Sequence, residues 1–193
     1  GKPVITKHNR AGKGLGVQLF RSRAALSDYV NGVDFEPSVD GITLVQRYIA
    51  APDQTITRVE FVGRELVYAV RVDTSNGCEL CPADVCALDA STCMADAEPR
   101  FAFDIIDRFG DSDLGRSLVP RMQAVMAQEQ LDVAAFEFIL DPDGVPYVYD
   151  INTNTNYNSD AESRAGLSAM GCLADHLGAE LGRLSGLGMK VAS

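Results

Sequence analysis

The chain has 193 residues, with 17 basic and 27 acidic side chains that give a net charge of −10. Its composition, 46% hydrophobic and 23% charged, is that of an ordinary folded globular protein. The acidic excess argues against nucleic acid as a general partner, because a phosphate backbone requires clustered lysine and arginine. No run of 18 apolar residues occurs, so no membrane association is expected. The length suits one domain or two small lobes that share a core.

Five cysteines are present: Cys78, Cys81, Cys86, Cys93 and Cys172. An odd number, without a recognisable secretory signal, indicates reduced thiols and predicts a cytoplasmic location. The first two have the Cys-x-x-Cys spacing of zinc sites, but the later spacings form no second pair of this kind. Free thiols are therefore favoured over a structural metal.

The first half of the chain is typical of short strands with one helix. Strands are predicted, in chain order, at 3–7, 17–20, 44–50, 57–62 and 66–72. Ser22 is expected to cap a helix over 23–30, which Asn31-Gly32 ends. The last two strands flank Gly63-Arg64-Glu65 and predict a β-hairpin.

The second half begins with residues 74–100, which show little periodicity and are interpreted as a long excursion. Apolar residues at helical spacing then predict a helix over 114–130. A second hairpin is predicted from strands at 133–140 and 146–151. One long helix over 161–184 follows, with Ala165, Leu167, Met170, Leu173, Leu177 and Leu181 available for an apolar face.

Glycine alternates with other residues in Gly12-Lys13-Gly14-Leu15-Gly16, between two predicted strands. Such glycines let backbone N–H groups approach phosphate oxygens, and Lys7 and Arg10 add positive charge nearby. A flexible hairpin loop with solvated cations would have the same features. The segment is not a P-loop, because no Gly-Lys-Ser or Gly-Lys-Thr opens a helix, and the strand that follows excludes a dinucleotide fingerprint.

Three oxygen-bearing side chains lie on the second predicted hairpin. Asp150 and Asn152 are two residues apart on one strand, so they project to one face and flank an inward Ile151. Glu137 can join them from the neighbouring strand, and such hard oxygen ligands suit Mg²⁺. The carboxylates could instead be solvated outward positions, but each lies in an apolar run, where an unpaired charge is costly.

Two arginines lie on the first predicted hairpin, after an apolar segment at 44–49 that could hydrogen-bond a flat base through its backbone. Arg58 and Arg71 could face a common cleft, where arginine suits bidentate contact with phosphate or carboxylate. Two exposed strand arginines would give the same pattern.

The order of these segments resembles the ATP-grasp superfamily, and particularly its RimK-like amino-acid ligase branch, over residues 3–184. The resemblance rests on Pro3-Val-Ile-x-Lys7, the loop at 12–16, Val45-Gln-Arg-Tyr-Ile49, Arg58 before Val-Glu-Phe-Val-Gly63, Arg71 with Asn76-Gly77 beyond it, and the carboxylate strands. It implies an α+β ATP-grasp fold, in which two α/β lobes with antiparallel sheets grip the nucleotide. The small lobe would be 1–50 and the large lobe 51–193, with the family's amino-terminal domain and an upstream lysine missing.

The resemblance also implies roles for individual residues. Lys7 would contact the phosphate and adenine of ATP, and Lys13 and Arg71 would act on the transferred phosphoryl group. Mg²⁺ or Mn²⁺ would be held by Glu137, Asp150 and Asn152. The remaining nucleotide contacts are assigned to Gly12, Gly14, Gly16, Gln46, Arg47, Ile49, Asp53 and Arg58.

The activity implied is ATP-dependent C–N ligation through an acyl phosphate, with small-molecule carboxylate and amine (or thiol) substrates. The segment Thr153-Asn-Thr-Asn-Tyr-Asn158 departs from the Pro-Gly that often follows the family's metal-binding asparagine, so the substrate class is not implied. A kinase that phosphorylates a hydroxyl, and a catalytically incomplete nucleotide-binding module, are the alternatives. We expect this chain alone to be inactive and to be able to form homo-oligomers.

Overall fold

The computed structural model describes residues 2–10, 16–74 and 103–188. Gly12, Lys13, Gly14 and nearly all of the predicted excursion lie outside the described residues. The chain divides into two compact units. Of the described residues, unit 1 contains 2–10, 16–55, 73, 74 and 140–145, and unit 2 contains 56–72, 103–139 and 146–188.

Unit 1 is built on an antiparallel sheet, which in its described part has the strand order β2-β1-β3. The strands are β1 (Val4–His8), β2 (Gln18–Phe20) and β3 (Thr43–Arg47). The predicted cap of helix α1 (Arg23–Val30) is confirmed, because the Ser22 hydroxyl accepts a hydrogen bond from the Ala25 N–H at 3.1 Å. The helix is anchored by its aromatic residue Tyr29, whose ring centroid lies 5.2 Å from that of the buried Phe20.

Unit 2 is built on a second antiparallel sheet, of order β6-β5-β4-β7-β8 among the described strands. Its strands are β4 (Thr55–Val62), β5 (Glu65–Asp73), β6 (Phe103–Ile106), β7 (Val133–Leu140) and β8 (Pro146–Asn152). Both predicted hairpins are confirmed. Strand β6 was not predicted, because its four residues follow a segment without periodicity.

The core of unit 2 lies at the two central strands. Phe61 of β4 and Phe136 of β7 are fully buried and pack edge to face, with ring centroids 5.8 Å apart. Helix α2 (Asp113–Gln128) buries Leu118, Met122 and Met126, which recur every four residues on one face. Val125, one residue before Met126, is 39% exposed because it lies at the margin of that stripe.

The turn between β4 and β5 requires glycine at its first position. Gly63 and Arg64 both have positive φ, 61° and 67°, as expected for the primed turns that match the twist of a hairpin. A Cβ added at Gly63 would lie 2.9 Å from Nδ1 of His176, so there is also no room for a larger residue. Arg64 is held by an ion pair with Asp132 at 2.9 Å.

The prediction of a single helix over 161–184 is wrong. The structure has α3 (Ser159–Ala165) and α4 (Ala169–Gly188), separated at Gly166, whose φ of +66° ends the first helix. The Leu167 N–H then bonds the Glu162 carbonyl at 3.0 Å, and the Glu162 carboxylate accepts the Ala169 N–H at 2.9 Å. Helical spacing continues through this break, so periodicity alone did not reveal it.

Most of the residues expected on the apolar face of the last helix are exposed. Leu167, Met170, Leu177 and Leu181 are each between 41% and 66% accessible, and Leu184, at the predicted end of the helix, is 57% accessible. Among the residues that the structure describes, no helix has both the length and the apolarity that a membrane crossing requires.

The helix break can be tested with two glycine-to-alanine changes. Gly166→Ala should lower the free energy of unfolding by about 1 kcal/mol, because alanine is strained at positive φ. Gly178→Ala lies inside α4 with open space around its added Cβ, and should raise that free energy by about 0.5–1 kcal/mol. Urea denaturation of both variants is the measurement. A stabilising Gly166→Ala would contradict the break.

Candidate functional site

The polar residues of unit 2 come together on one face of its sheet. Pairing of β4 with β7 sets Arg58 directly opposite Glu137, and Glu60 lies two residues further along β4 on the same face. Nε of Arg58 is 2.9 Å from Oε1 of Glu60 and 3.9 Å from Oε1 of Glu137. The Arg58 side chain is only 12% exposed, so its charge is balanced by carboxylates rather than by water.

Thr155, in the segment after β8, joins this group. Its hydroxyl donates to Oε1 of Glu60 at 3.0 Å and accepts a hydrogen bond from Nη2 of Arg58. Arg58, Glu60 and Thr155 therefore form a closed ring of contacts between β4 and the segment at 153–158. Neither Glu60 nor Thr155 was identified from the sequence.

Two of the three expected metal ligands are in contact. Nδ2 of Asn152 donates to Oε1 of Glu137 at 3.2 Å, while the Tyr149 hydroxyl donates to Oε2 of Glu137 at 3.0 Å. Asp150 precedes Asn152 by two residues on β8, and its Oδ1 accepts the Ile151 N–H at 3.2 Å. Burial, together with the charge of Glu137, raises the pKa of Tyr149 well above its usual value, so its hydroxyl remains a donor.

Ile151 was expected to point inward, and this was wrong. Its side chain is 42% exposed. The reason is the place of β8 at one end of the described strand order, next to β7 alone. A strand with one neighbour is covered less than the central strands, so an apolar residue on it need not be buried.

The donor set on β7 and β8 is chemically suited to Mg²⁺. Two carboxylates and one amide oxygen are hard ligands, and hydrogen bonds from Tyr149 and Asn152 orient the Glu137 carboxylate as outer partners do in metal sites. Among the described residues, no three His, Cys, Asp or Glu side chains are grouped closely enough to hold a metal by themselves. The amide of Asn152 would therefore have to complete the set.

The surroundings of Arg71 differ from those of Arg58. It is exposed on β5, where the register sets it opposite the exposed Asp104 of β6, a favourable pair of opposite charges. The contacts that the structure gives for Arg58 are with Glu60, Glu137 and Thr155. That Arg58 and Arg71 share a cleft stays a prediction.

Glu60 is a deeply buried ionisable group of unit 2. Its side chain is 2% exposed, and burial raises its pKa from 4.5 to about 7, although the Arg58 charge opposes the shift. Within the described part of the chain, its Oε2 and the buried hydroxyl of Tyr157 have no hydrogen-bond partner. A second buried glutamate, Glu162, accepts a hydrogen bond from the Tyr68 hydroxyl at 2.9 Å.

A cavity of about 530 Å³ lies elsewhere in unit 2, beside β5, β6 and α3. Its polar lining includes Asp104, Asp107, Arg108 and Arg164. None of the site residues predicted from the sequence lines it.

In unit 1, the residues expected at the nucleotide lie on or near the sheet. Lys7 of β1 pairs with Leu44 of β3, while Gln46 pairs with Ile5. Oε1 of Gln46 is buried and has no hydrogen-bond partner among the residues described. Arg47, at the end of β3, is exposed, and the half-buried Ile49 follows the strand.

The local structure explains why aspartate stands at position 53 and glycine at position 16. The Asp53 carboxylate accepts the Thr55 hydroxyl at 2.8 Å and the Thr55 N–H at 3.3 Å, which fixes the turn before β4. Gly16 has a φ of +72°, and an added Cβ would lie 2.1 Å from the ring of His8. Glycine is therefore required where the chain leaves the loop, whatever the loop binds.

No known protein family matches the sequence, and no curated protein is detectably similar. Solved ATP-grasp structures do match. The ATP-grasp ligase PsnB, complexed with a minimal precursor, is 15% identical with a TM-score of 0.58 over 93% of this chain and 48% of its own. D-cycloserine synthetase DcsG is 16% identical with a TM-score of 0.60 over 93% and 56%. The ATP complex of D-alanine–D-alanine ligase from Bacillus anthracis is 12% identical with a TM-score of 0.56 over 91% and 51%.

The chain therefore has the ATP-grasp fold. The predicted α+β architecture with two antiparallel sheets is confirmed. The likeness, at 12–16% identity, is one of fold. This chain spans about half the length of these structures.

The buried Glu60 gives a pH test of the site. Because its pKa is raised in the folded state to about 7, its contribution to stability is present below pH 4.5 and is lost as pH rises through 7. Between pH 5 and 8, the free energy of unfolding of the parent chain should fall by up to about 3 kcal/mol more than that of Glu60→Gln. Urea denaturation at both pH values measures this. The exposed Glu65→Gln should follow the parent chain, and an equal pH dependence for Glu60→Gln would contradict the burial of a titrating carboxyl.

Proposed function

We propose that this chain forms the ATP- and Mg²⁺-binding part of a ligase that activates a carboxylate as an acyl phosphate and joins it to an amine. The contact of Glu137 with Asn152, beside Arg58 on a sheet of the ATP-grasp fold, carries the proposal. The presence of ATP in the B. anthracis structure, and of Mg and ADP in a PsnB structure, supports it. Membership of the RimK-like branch is part of the proposal and rests on the sequence motifs.

The chemistry follows from the poor reactivity of a carboxylate. Its leaving oxygen is too basic for direct attack by an amine. A carboxylate oxygen instead attacks the γ-phosphorus of ATP, ADP leaves, and the amine then attacks the acyl carbon and displaces inorganic phosphate. The protein contributes positioning and charge stabilisation rather than a covalent intermediate.

The residues of unit 2 would hold the metal and the phosphates. Glu137, Asp150 and Asn152 would bind Mg²⁺, which supplies positive charge to phosphate oxygens. Arg58 and Arg71 would bind anionic oxygens, and Arg58 is already in contact with Glu60 and Thr155. A guanidinium that is fixed in advance loses less entropy on binding.

The residues of unit 1 would recognise the nucleoside. Gln46, Arg47 and Ile49 are proposed for adenine and Asp53 for the ribose, with Lys7 and the glycine-rich loop at phosphate. The buried, unsatisfied Oε1 of Gln46 is the observation that favours a polar partner at β3.

The metal assignment is tested by removing one charge. Asp150→Asn should weaken binding of Mg²⁺·ATP by about tenfold or more, because one charged ligand is lost. Isothermal titration with and without Mg²⁺ measures it. Asp143→Asn, in the exposed turn after β7, makes the same change in net charge and should bind as the parent chain does. Equal Mg²⁺-dependent affinity in a folded Asp150→Asn variant would remove the metal assignment.

The reaction is tested by product analysis. The purified chain, incubated with Mg²⁺·ATP, amino acids and small carboxylates, should release no more ADP than a Glu137→Ala control. The reason is that this chain spans about half the length of the matched structures, and a site that depended on further residues would be open to water without them. A longer form should release ADP and phosphate with a new amide. Substrate-stimulated turnover by these 193 residues would refute the expected inactivity, and phosphate retained on the product would establish a kinase.

A further inference from the structure

Glu60 is buried at a cost that its contacts have to offset. A carboxylate that is 2% exposed loses most of its hydration, and in the described part of the chain its Oε2 has no hydrogen-bond partner. The acidic residue must therefore be explained by what it contacts.

Its contacts all converge on Arg58. Oε1 of Glu60 lies 2.9 Å from Nε of Arg58 and 3.0 Å from the hydroxyl of Thr155, which itself accepts a hydrogen bond from Nη2 of Arg58. Arg58 is thus held by an ion pair at Nε, which makes no hydrogen bond among the described residues, and by a hydrogen bond from Nη2 to Thr155. Nη1 takes part in neither of these contacts, which leaves that nitrogen to contact a ligand.

We propose that Glu60 is a positioning residue, which together with Thr155 fixes the guanidinium of Arg58 in the orientation that binds a phosphate oxygen of the nucleotide. This inference rests on the proposed function, because it assigns a nucleotide phosphate to Arg58. It adds two residues, one on β4 and one in the segment at 153–158, that do not themselves touch the ligand.

A purely neutralising role for Glu60 has the opposite consequence. If Glu60 only cancelled the charge of Arg58, its removal would free a cation and tighten the binding of an anion. If Glu60 holds Arg58 in place, its removal lets the side chain adopt other rotamers and weakens binding. The sign of the change in affinity therefore separates the two roles.

The experiment is a titration of the full chain with Mg²⁺·ATP, comparing Arg58→Met, Glu60→Leu, Glu60→Gln and the double variant Arg58→Met/Glu60→Leu. Arg58→Met and Glu60→Leu should each weaken binding about tenfold, the size of a charge-assisted hydrogen bond. Glu60→Gln should lose less than about threefold, because its amide oxygen still accepts from Thr155. In the Arg58→Met background, Glu60→Leu should have no further effect.

Glu162→Gln is the matched control. It alters a second buried glutamate of the same unit, whose described partners are Tyr68 and the Ala169 N–H. It should lower stability without changing the affinity for Mg²⁺·ATP. If Glu60→Leu does not fold, Thr155→Val removes the same anchor from its other side and should weaken binding by about threefold to tenfold.

Three results would overturn the proposal. The first is tighter or unchanged binding of Mg²⁺·ATP in Glu60→Leu or, if that variant does not fold, in Thr155→Val. The second is that Glu60→Leu lowers the affinity equally with Arg58 and with Met at position 58, and the third is that Glu162→Gln lowers the affinity as much as Glu60→Leu does. Failure of the parent chain to bind Mg²⁺·ATP is a different result, because it refutes the proposed function and this inference with it. Nitrogen-15 spectra of the guanidinium groups add a ligand-free readout. The Nε–H signal of Arg58 is assigned by its loss in Arg58→Met. Its proton should exchange slowly with water in the parent chain and in Glu162→Gln, and rapidly in Glu60→Leu.

Discussion

The antiparallel pairing of β4 with β7 is the constraint on which the polar site of unit 2 depends. It sets a guanidinium directly across from a carboxylate, and the pleat brings Glu60 to the same face two residues later. The side chains of Arg58 and Glu60 are only 12% and 2% exposed, while the fully buried Phe61, Phe136 and Phe138 alternate with the charged residues and face the other side of the sheet. In such surroundings a lone charge is expensive, so each charged group requires the others. Thr155 and Tyr149 donate hydrogen bonds to Glu60 and Glu137, and among the described residues Oε2 of Glu60 stays without a partner.

Local features were predictable because their causes lie within a few residues. Ser22 caps its helix through a hydroxyl three residues from the N–H that it accepts, and Gly63 begins a two-residue turn that only particular backbone angles allow. The break at Gly166 was missed for the converse reason. Helical spacing continues on both sides, and α4 starts again because the buried Glu162 side chain accepts its first N–H. That cap is a tertiary feature, and no spacing rule contains it.

The residues of the candidate site also divide into those predicted from local pattern and those that depend on distant contacts. Glu137 and Asn152 were predicted together because both belong to one hairpin, where alternation fixes the face of each side chain. Glu60 was overlooked although the pattern Arg58-x-Glu60 places an acid and a base on one face of a strand. Its partner Thr155 is 95 residues away, and its other partner, Arg58, faces Glu137 across the sheet. The sequence does not reveal the register between strands so far apart. The sequence feature that indicates such a pair is an acidic residue two positions from a basic one inside an apolar strand segment.

The strand order also separates rigid from adaptable parts of the site. Arg58, Glu60 and Glu137 lie on β4 and β7, each of which has a neighbour on both sides, so their backbone positions are fixed by two ladders of hydrogen bonds. Asp150 and Asn152 lie on β8, which among the described strands pairs with β7 alone. A phosphate-binding arginine benefits from a fixed orientation, because its geometry is planar and bidentate. Metal ligands have to move by a few tenths of an ångström as coordination changes, and a strand with one neighbour permits this at lower cost. If the proposed roles hold, the directional Arg58 lies on a central strand, while two of the three metal ligands, Asp150 and Asn152, lie on the outer strand and the third, Glu137, lies on β7.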